Sequence, residues 1–315
     1  MMRRFFLLLA LGISTAHAAP QTGICRLEVA AQVPLRNDAL FLSIPIRLDG
    51  REARVIVDTG SEGSLITPEG AARLRLRPDP AHATFLHGAN GRGQLAPNLL
   101  VSSLRIGGKD LGGHSIPLGA LPSLPDVSPP IIGLIGADVL SGYDLEIDVP
   151  HRKLTLWTVK LGSEACRRPP PWHSGYATLN ARAEGGRLSV AFRLDGQNGW
   201  ALVDSGARSH ILSRHFAHRV GVSDAMLARD PGGITSGVDL NARWYHWHRF
   251  NRLELGAEAV DAANPAWVKP VLTVSDVRDG VDMLLGADWF ARHDVWVSYA
   301  TSQVFAMPET RASGK

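Results

Sequence analysis

Two short stretches of the chain carry an acid in a place where an acid is costly. In Arg54-Val55-Ile56-Val57-Asp58-Thr59-Gly60-Ser61 an apolar strand runs into a carboxylate, a hydroxyl residue and a glycine, and Ala201-Leu202-Val203-Asp204-Ser205-Gly206-Ala207 repeats the arrangement. A carboxylate at the end of a buried strand is expensive unless something pairs or uses it. The glycine two residues on lets backbone turn or approach closely. Two such acids point to one site assembled from two half-sites, each contributing a carboxylate.

The elements that must position them recur in the same order. Each copy is preceded by a Leu-Asp-Gly turn, at Leu48-Asp49-Gly50 and Leu194-Asp195-Gly196. Each is followed by a glycine-bearing stretch, Leu86-His87-Gly88-Ala89-Asn90-Gly91-Arg92-Gly93 in the first and Gly232-Gly233-Ile234-Thr235-Ser236-Gly237 in the second. Next comes an apolar pair with glycine, Leu134-Ile135-Gly136 and Leu284-Leu285-Gly286, then Asp144 to Asp148 and Asp294 to Val297. The spacing agrees: 78 residues separate Asp58 from Gly136 and 82 separate Asp204 from Gly286. An ordered series at matched spacing is the signature of an internal repeat. Short β-branched, alternating segments such as Leu40 to Leu48, Leu188 to Leu194 and Val295 to Phe305 predict mostly-β halves. Brief helices are predicted at Pro68 to Leu74, at Asp138 to Gly142 with its counterpart Asp288 to Arg292, and at Ser213 to Val220. Asp138 and Asp288 are expected to act as N-caps, and Asp144 and Asp294 are assigned to structure as well.

Residues 1–18 read as a signal peptide, with Arg3 and Arg4, an apolar run from Phe5 to Leu11, and Ala16-His17-Ala18 where a peptidase would cut. That run is too short for a stable membrane anchor, so a periplasmic or secreted chain is expected. Halves are expected at 19–165 and 166–307, divided near the strap Gly162 to Gly175 with its Pro169-Pro170-Pro171 run, and residues 308–315 read as a disordered tail. The chain of 315 residues is 45% hydrophobic, enough for a substantial core. Without the leader, 31 basic residues face 30 acidic ones, and with no basic run nucleic acid is excluded as a partner. Cys25 and Cys166, the two cysteines, are expected to pair as a disulfide in an oxidising compartment, a constraint of about 4 to 5 kcal/mol at most. Two unpaired buried thiols are the alternative, and no histidine pattern supports a catalytic cysteine.

These residues together resemble a retropepsin-like aspartic protease with two copies of the domain in one chain. Asp58-Thr59-Gly60-Ser61 and Asp204-Ser205-Gly206-Ala207 match that family's signature, and Leu134-Ile135-Gly136 and Leu284-Leu285-Gly286 its second landmark. The resemblance implies an all-β fold of two homologous β-barrel domains about a pseudo-twofold axis, and aspartic endopeptidase activity from Asp58 and Asp204. Carboxylates held about 3 Å apart cannot both ionise, so such a pair shares a proton. It further implies that Thr59 and Ser205 lock the two loops across the axis, that Gly60 and Gly206 let the carboxylates approach, and that Ser61 bonds the catalytic carboxylate. Flaps are implied at about Phe85 to Leu95 and Gly232 to Trp247, with His87, Gly88, Gly91, Gly233, Thr235 and Tyr245 on a peptide substrate. No cofactor is implied, and the chain would act as a monomeric intramolecular pseudodimer.

Ala207 departs from the pattern at the position of Ser61, so the two aspartates are expected to be held unequally. Glu62 and Arg208, next in each copy, are an ordinary solvated pair or a cross-interface bridge, the former preferred. In Trp244-Tyr245-His246-Trp247-His248 two histidines fall short of a metal site, and an aromatic strand near a pocket or core is the reading retained. A lone Asp-Thr-Gly is usually only a turn; its duplicated context argues otherwise here. A non-catalytic peptide-binding or scaffold protein of the same fold is the alternative function.

Overall fold

The computed structural model of the chain describes residues 25–88, 93–160, 169–173, 175–235, 241–255, 267–277 and 280–308. The leader, Gly91, Cys166 and the tail beyond Pro308 lie outside the described residues, and so therefore do the expected signal peptide and the pairing partner of Cys25. Strands dominate, with five short helices among the described residues.

Each half is built on the same plan. In the first, Phe41–Leu48 turns back into Arg51–Val57, with Leu48 opposite Arg51, and Arg51–Val57 then pairs in parallel with Ile131–Ile135. In the second, Arg187–Leu194 turns into Gln197–Val203, which pairs in parallel with Met283–Leu285. The expected Leu-Asp-Gly turns make both hairpins: Asp49 and Gly50 have φ of 48° and 77°, Asp195 and Gly196 46° and 86°. Two positive φ values in succession belong to the type I′ turn, whose twist matches the strands it joins. Both aspartates also tie the turn to a neighbouring strand, Asp49 accepting from the Ser102 and Ser103 amides and Asp195 from those of Asn251 and Arg252.

The halves meet in a shared sheet. Its strand order begins Arg26–Pro34, Lys153–Lys160, Asp144–Asp148, His293–Ser298, Gln303–Pro308 and Ala177–Glu184 and continues into Arg187–Leu194 of the second half. The seam is the antiparallel pair Asp144–Asp148 with His293–Ser298, register Leu145 opposite Val297. Leu145, Ile147, Val295 and Val297 are fully buried there and belong to a core that runs through both halves.

The predicted helices are present, the first with the expected ends and the others with shifted ones. Pro68–Leu74 is capped by the Thr67 hydroxyl, which accepts from the Gly70 amide, and Arg214–Arg219 by Ser213, which accepts from Phe216. The helices Ala137–Leu140 and Ala287–Phe290 begin after Gly136 and Gly286, and neither is capped by a side chain. The expectation that Asp138 and Asp288 are N-caps is therefore corrected. Both sit inside the first turn, where Asp138 accepts from the Ser64 hydroxyl at 2.7 Å and Asp288 binds His210 Nδ1 at 2.6 Å. The helix Asp224–Leu227 escaped the sequence reading, because four residues are too few to show a helical period.

Candidate functional site

Asp58 and Asp204 arrive at the interface on strand ends fixed in the same way. The Asp58 amide donates to Ile135 and the Asp204 amide to Leu285, each at 3.0 Å. The apolar-glycine landmark thus holds the acid from behind. Its glycines are obligatory for the same reason: a Cβ on Gly136 would stand 2.6 Å from the Gly63 carbonyl oxygen, and one on Gly286 2.3 Å from that of Ser209. The short helix that follows clamps the loop again, with Ala137 donating to Ser61 at 2.9 Å and Ala287 to Ala207 at 2.7 Å.

The two loops are locked together by hydrogen bonds that cross the pseudo-twofold axis. Thr59 Oγ1 donates to the Val203 carbonyl and Ser205 Oγ to the Val57 carbonyl, both at 2.7 Å. Each hydroxyl also accepts from the opposing amide, Thr59 Oγ1 from Ser205 N at 3.0 Å and Ser205 Oγ from Thr59 N at 3.1 Å. Thr59 and Ser205 are 1% exposed, so nothing in solvent could replace a lost partner. Thr59→Val would leave the Ser205 amide and the Val203 carbonyl buried and unpaired, an expected cost of about 2 to 4 kcal/mol. Chemical denaturation checks this, and a loss below about 0.5 kcal/mol would show that the lock is dispensable.

Gly60 and Gly206 leave no room to spare. A Cβ on Gly60 would lie 2.3 Å from Asp204 Cγ, and one on Gly206 2.3 Å from Asp58 Cγ. Each carboxylate therefore sits against the opposite loop. Within its own loop, Asp58 Oδ1 accepts from the Gly60 amide at 3.0 Å, while Asp204 Oδ1 accepts from Gly206 at 3.0 Å and Ala207 at 2.9 Å. The Ser61 hydroxyl does not support the carboxylate as the resemblance implied. It donates to Gly63 O at 2.7 Å, and it is the Ser61 backbone amide that holds Asp58. Ala207 can therefore replace serine without loss, because the bond is made by main chain in both halves.

Burial is the largest cause that raises the protonation range of both acids. For Asp58 the charge of Asp204 adds to it, and the shift is large. For Asp204 the Ala207 and Gly206 amides, a hydrogen bond from Asp58 and the Arg187 charge pull the other way. Both acids are thus raised, and carboxylates held this close share a proton.

Arg187 is the site residue that sequence reasoning missed. It begins a strand of the second half, lines the cleft, and places Nη2 2.9 Å from Glu62 Oε1 in the first half. Glu62 therefore does bridge the interface, but to Arg187; Arg208 lies over the Phe41 ring instead, 5.3 Å from its centre. The only hint in the sequence was an unexplained charge two residues beyond Gly185. Arg187→Gln should raise the protonation range of Asp204 and move the acid limb of any pH–rate profile upward; an unmoved limb would mean the charge is screened.

A cleft of about 840 Å³ opens above the acids and is lined by Asp58, Asp204 and both hairpins, a size suited to a ligand of several residues. The hairpins are Arg77–His87 with Gly93–Val101, and Gly232–Thr235 with Arg243–Arg249. Of the residues expected on substrate, His87, Gly88, Thr235 and Tyr245 border the cleft. Gly233 instead lies opposite Tyr245 in the hairpin, where an added Cβ would stand 2.8 Å from the tyrosine oxygen. Gly91 is outside the described residues. The aromatic strand is the inner arm of the second hairpin: Tyr245 and Trp247 face the cleft with rings 5.2 Å apart, and His248 Nδ1 is 2.6 Å from Asp230.

The family model for aspartyl proteases matches residues 44–139 and 190–289. No curated protein matches the chain. Among solved structures the chain is similar to the crystal structure of Basic 7S globulin from soybean, at 11% identity and a TM-score of 0.49, over 90% of this chain and 95% of that one. The two matched segments take in more than half of the chain, with both aspartate loops and both glycine landmarks behind them, and the chain belongs to the aspartyl protease family.

Proposed function

We propose that the chain is an aspartic endopeptidase that hydrolyses peptide bonds with a water activated between Asp58 and Asp204. The observation that carries this reading is the reciprocal Thr59 and Ser205 lock, which presses two unequal carboxylates together at the floor of an open cleft. In this reading Asp204 takes a proton from the water as its oxygen attacks the peptide carbonyl carbon. Asp58 gives its proton to the carbonyl oxygen. The resulting tetrahedral diol collapses when Asp58 takes that proton back and the nitrogen receives the one held by Asp204, breaking the C–N bond and restoring the dyad.

The substrate in this reading is an extended peptide with apolar side chains. Phe85 and Ile234 of the two hairpins are exposed large hydrophobics that border the cleft, the kind of surface that marks a binding site. The leader pattern supports export, and export in turn fits a disulfide between Cys25 and Cys166. The mature chain supplies both acids itself, which fits a monomer working as an intramolecular pseudodimer without a cofactor.

The test is incubation of the mature protein with a peptide library across roughly pH 3 to 8, with and without an inhibitor bearing a hydroxyl that mimics the tetrahedral state. Cleavage at internal bonds, blocked by the inhibitor, is expected. Absence of cleavage throughout would leave a non-catalytic peptide-binding protein.

A further inference from the structure

We propose that Glu146, Asp148 and Asp294 form a binding site for a hard divalent cation of the calcium type, on the seam that joins the two halves. One oxygen from each residue lies within 4.8 Å of the other two. Glu146 and Asp148 come from the first half and Asp294 from the second, with Asp148 directly opposite Asp294 in the antiparallel register. A cation held there would tie the halves together.

The internal repeat shows why this cluster is unusual. Asp144 and Asp294 occupy equivalent positions, but their surroundings differ in sign. Asp144 is surrounded by donors: it accepts from Trp296 Nε1 at 2.9 Å, the Ala300 amide at 3.0 Å and the Ser298 hydroxyl. At the positions equivalent to Trp296 and Ser298 the first half has Glu146 and Asp148. Asp294 thus meets acceptors where its twin meets donors. It is 8% exposed, and its buried Oδ1 has no hydrogen-bond partner, a state that ordinarily demands a compensating charge.

Lys153 compensates in part. Its ammonium lies 3.4 Å from Glu146 Oε1 and 3.5 Å from Asp148 Oδ2, long for charge-assisted bonds. Glu146 Oε2 is engaged by Trp157 Nε1 at 3.0 Å and Asp148 Oδ1 by the His151 amide at 3.1 Å, while the His151 ring Nδ1 lies 2.8 Å from Asp148 Oδ1 and 3.0 Å from its Oδ2. Three carboxylates face one ammonium and the His151 ring, a surplus of negative charge that a divalent cation would neutralise. An all-oxygen donor set selects calcium or magnesium over zinc or copper. The Lys153 side chain is 33% exposed, so it can swing outward and let water complete the coordination.

Terbium is a suitable probe, because Trp157 is bonded to Glu146 and stacks on Trp296 with ring centres 5.4 Å apart. Excitation of indole in the full mature chain should therefore sensitise bound terbium, calcium should displace it, and calcium should raise Tm relative to chelator. Asp294→Asn should abolish both responses while keeping the far-UV spectrum of the parent; if it does not fold, Glu146→Gln serves the same purpose. Lys153→Met should tighten terbium binding about tenfold by removing a competing charge. A wild-type chain with no sensitised emission and the same Tm in calcium and chelator overturns the proposal and leaves a proton on Asp294 as the compensating species. Full responses retained by Asp294→Asn and Glu146→Gln overturn it equally.

Discussion

Asp58→Asn and Asp204→Asn are each expected to lower kcat by about three orders of magnitude or more, with the fold intact. General acid–base transfer by a positioned group contributes about 10²- to 10⁴-fold, and each acid serves in both steps of the proposed reaction. An amide keeps the shape of the carboxylate, so Thr59 and Ser205 can still lock the loops. Stability should nevertheless change with pH. Asp58 is raised well above the ordinary carboxylate range, first by burial and then by the Asp204 charge. A raised carboxyl binds its proton more tightly in the folded chain than in the unfolded one, so its contribution is fully present below the unfolded value and is lost as pH rises through the folded one. At neutral pH the wild type therefore carries a penalty that asparagine relieves. Asp58→Asn should raise Tm at pH above that range and leave it unchanged in acid, and Asp204→Asn should act in the same direction. Single-turnover cleavage and melting curves at two pH values decide this. Full activity in either variant would end the two-acid mechanism.

Gly60→Ala and Gly206→Ala are expected to be nearly as damaging, and for a geometric reason. Neither glycine has a positive φ, so backbone conformation is not what excludes alanine. The obstacle is the opposite acid: the new methyl would sit 2.3 Å from Asp204 Cγ in one case and 2.3 Å from Asp58 Cγ in the other. The carboxylates cannot simply step aside, because each is held by amides of its own loop at 2.9 to 3.0 Å. The loops must spread instead. Overpacking of this kind costs about 1 to 3 kcal/mol in stability, and misplacing reacting groups by about 1 Å costs about 100-fold in rate. The signature is a fall in kcat far larger than the modest loss of Tm would suggest, in both variants alike. Alanine at either position with wild-type kcat would mean the loops are looser than their hydrogen bonds imply.

Much of this was legible in the chain itself because the repeat is written twice. Asp-Thr-Gly and Asp-Ser-Gly, the glycines behind them, the Leu-Asp-Gly turns and the hairpin positions are local features, each set by which residue a turn, strand end or close contact tolerates. Their matched order by itself implies two like halves and a shared site. The role of the Ser61 hydroxyl, the capping by Asp138 and Asp288, and the partner of Glu62 were not legible in this way. Each depends on which atom lies within about 3 Å once the strands are packed, and sequence separation carries no information about that. Arg187 meets Glu62 only because the Gly185-Gly186 turn, which joins Ala177–Glu184 to Arg187–Leu194, packs against the first half's loop. Asp144 and Asp294 read as equivalent in sequence, yet the antiparallel seam gives one a ring of donors and the other a ring of acceptors. A chain specifies its local geometry residue by residue, whereas the charge and hydrogen-bond surroundings of a buried group are settled by the neighbours that tertiary packing brings from far away.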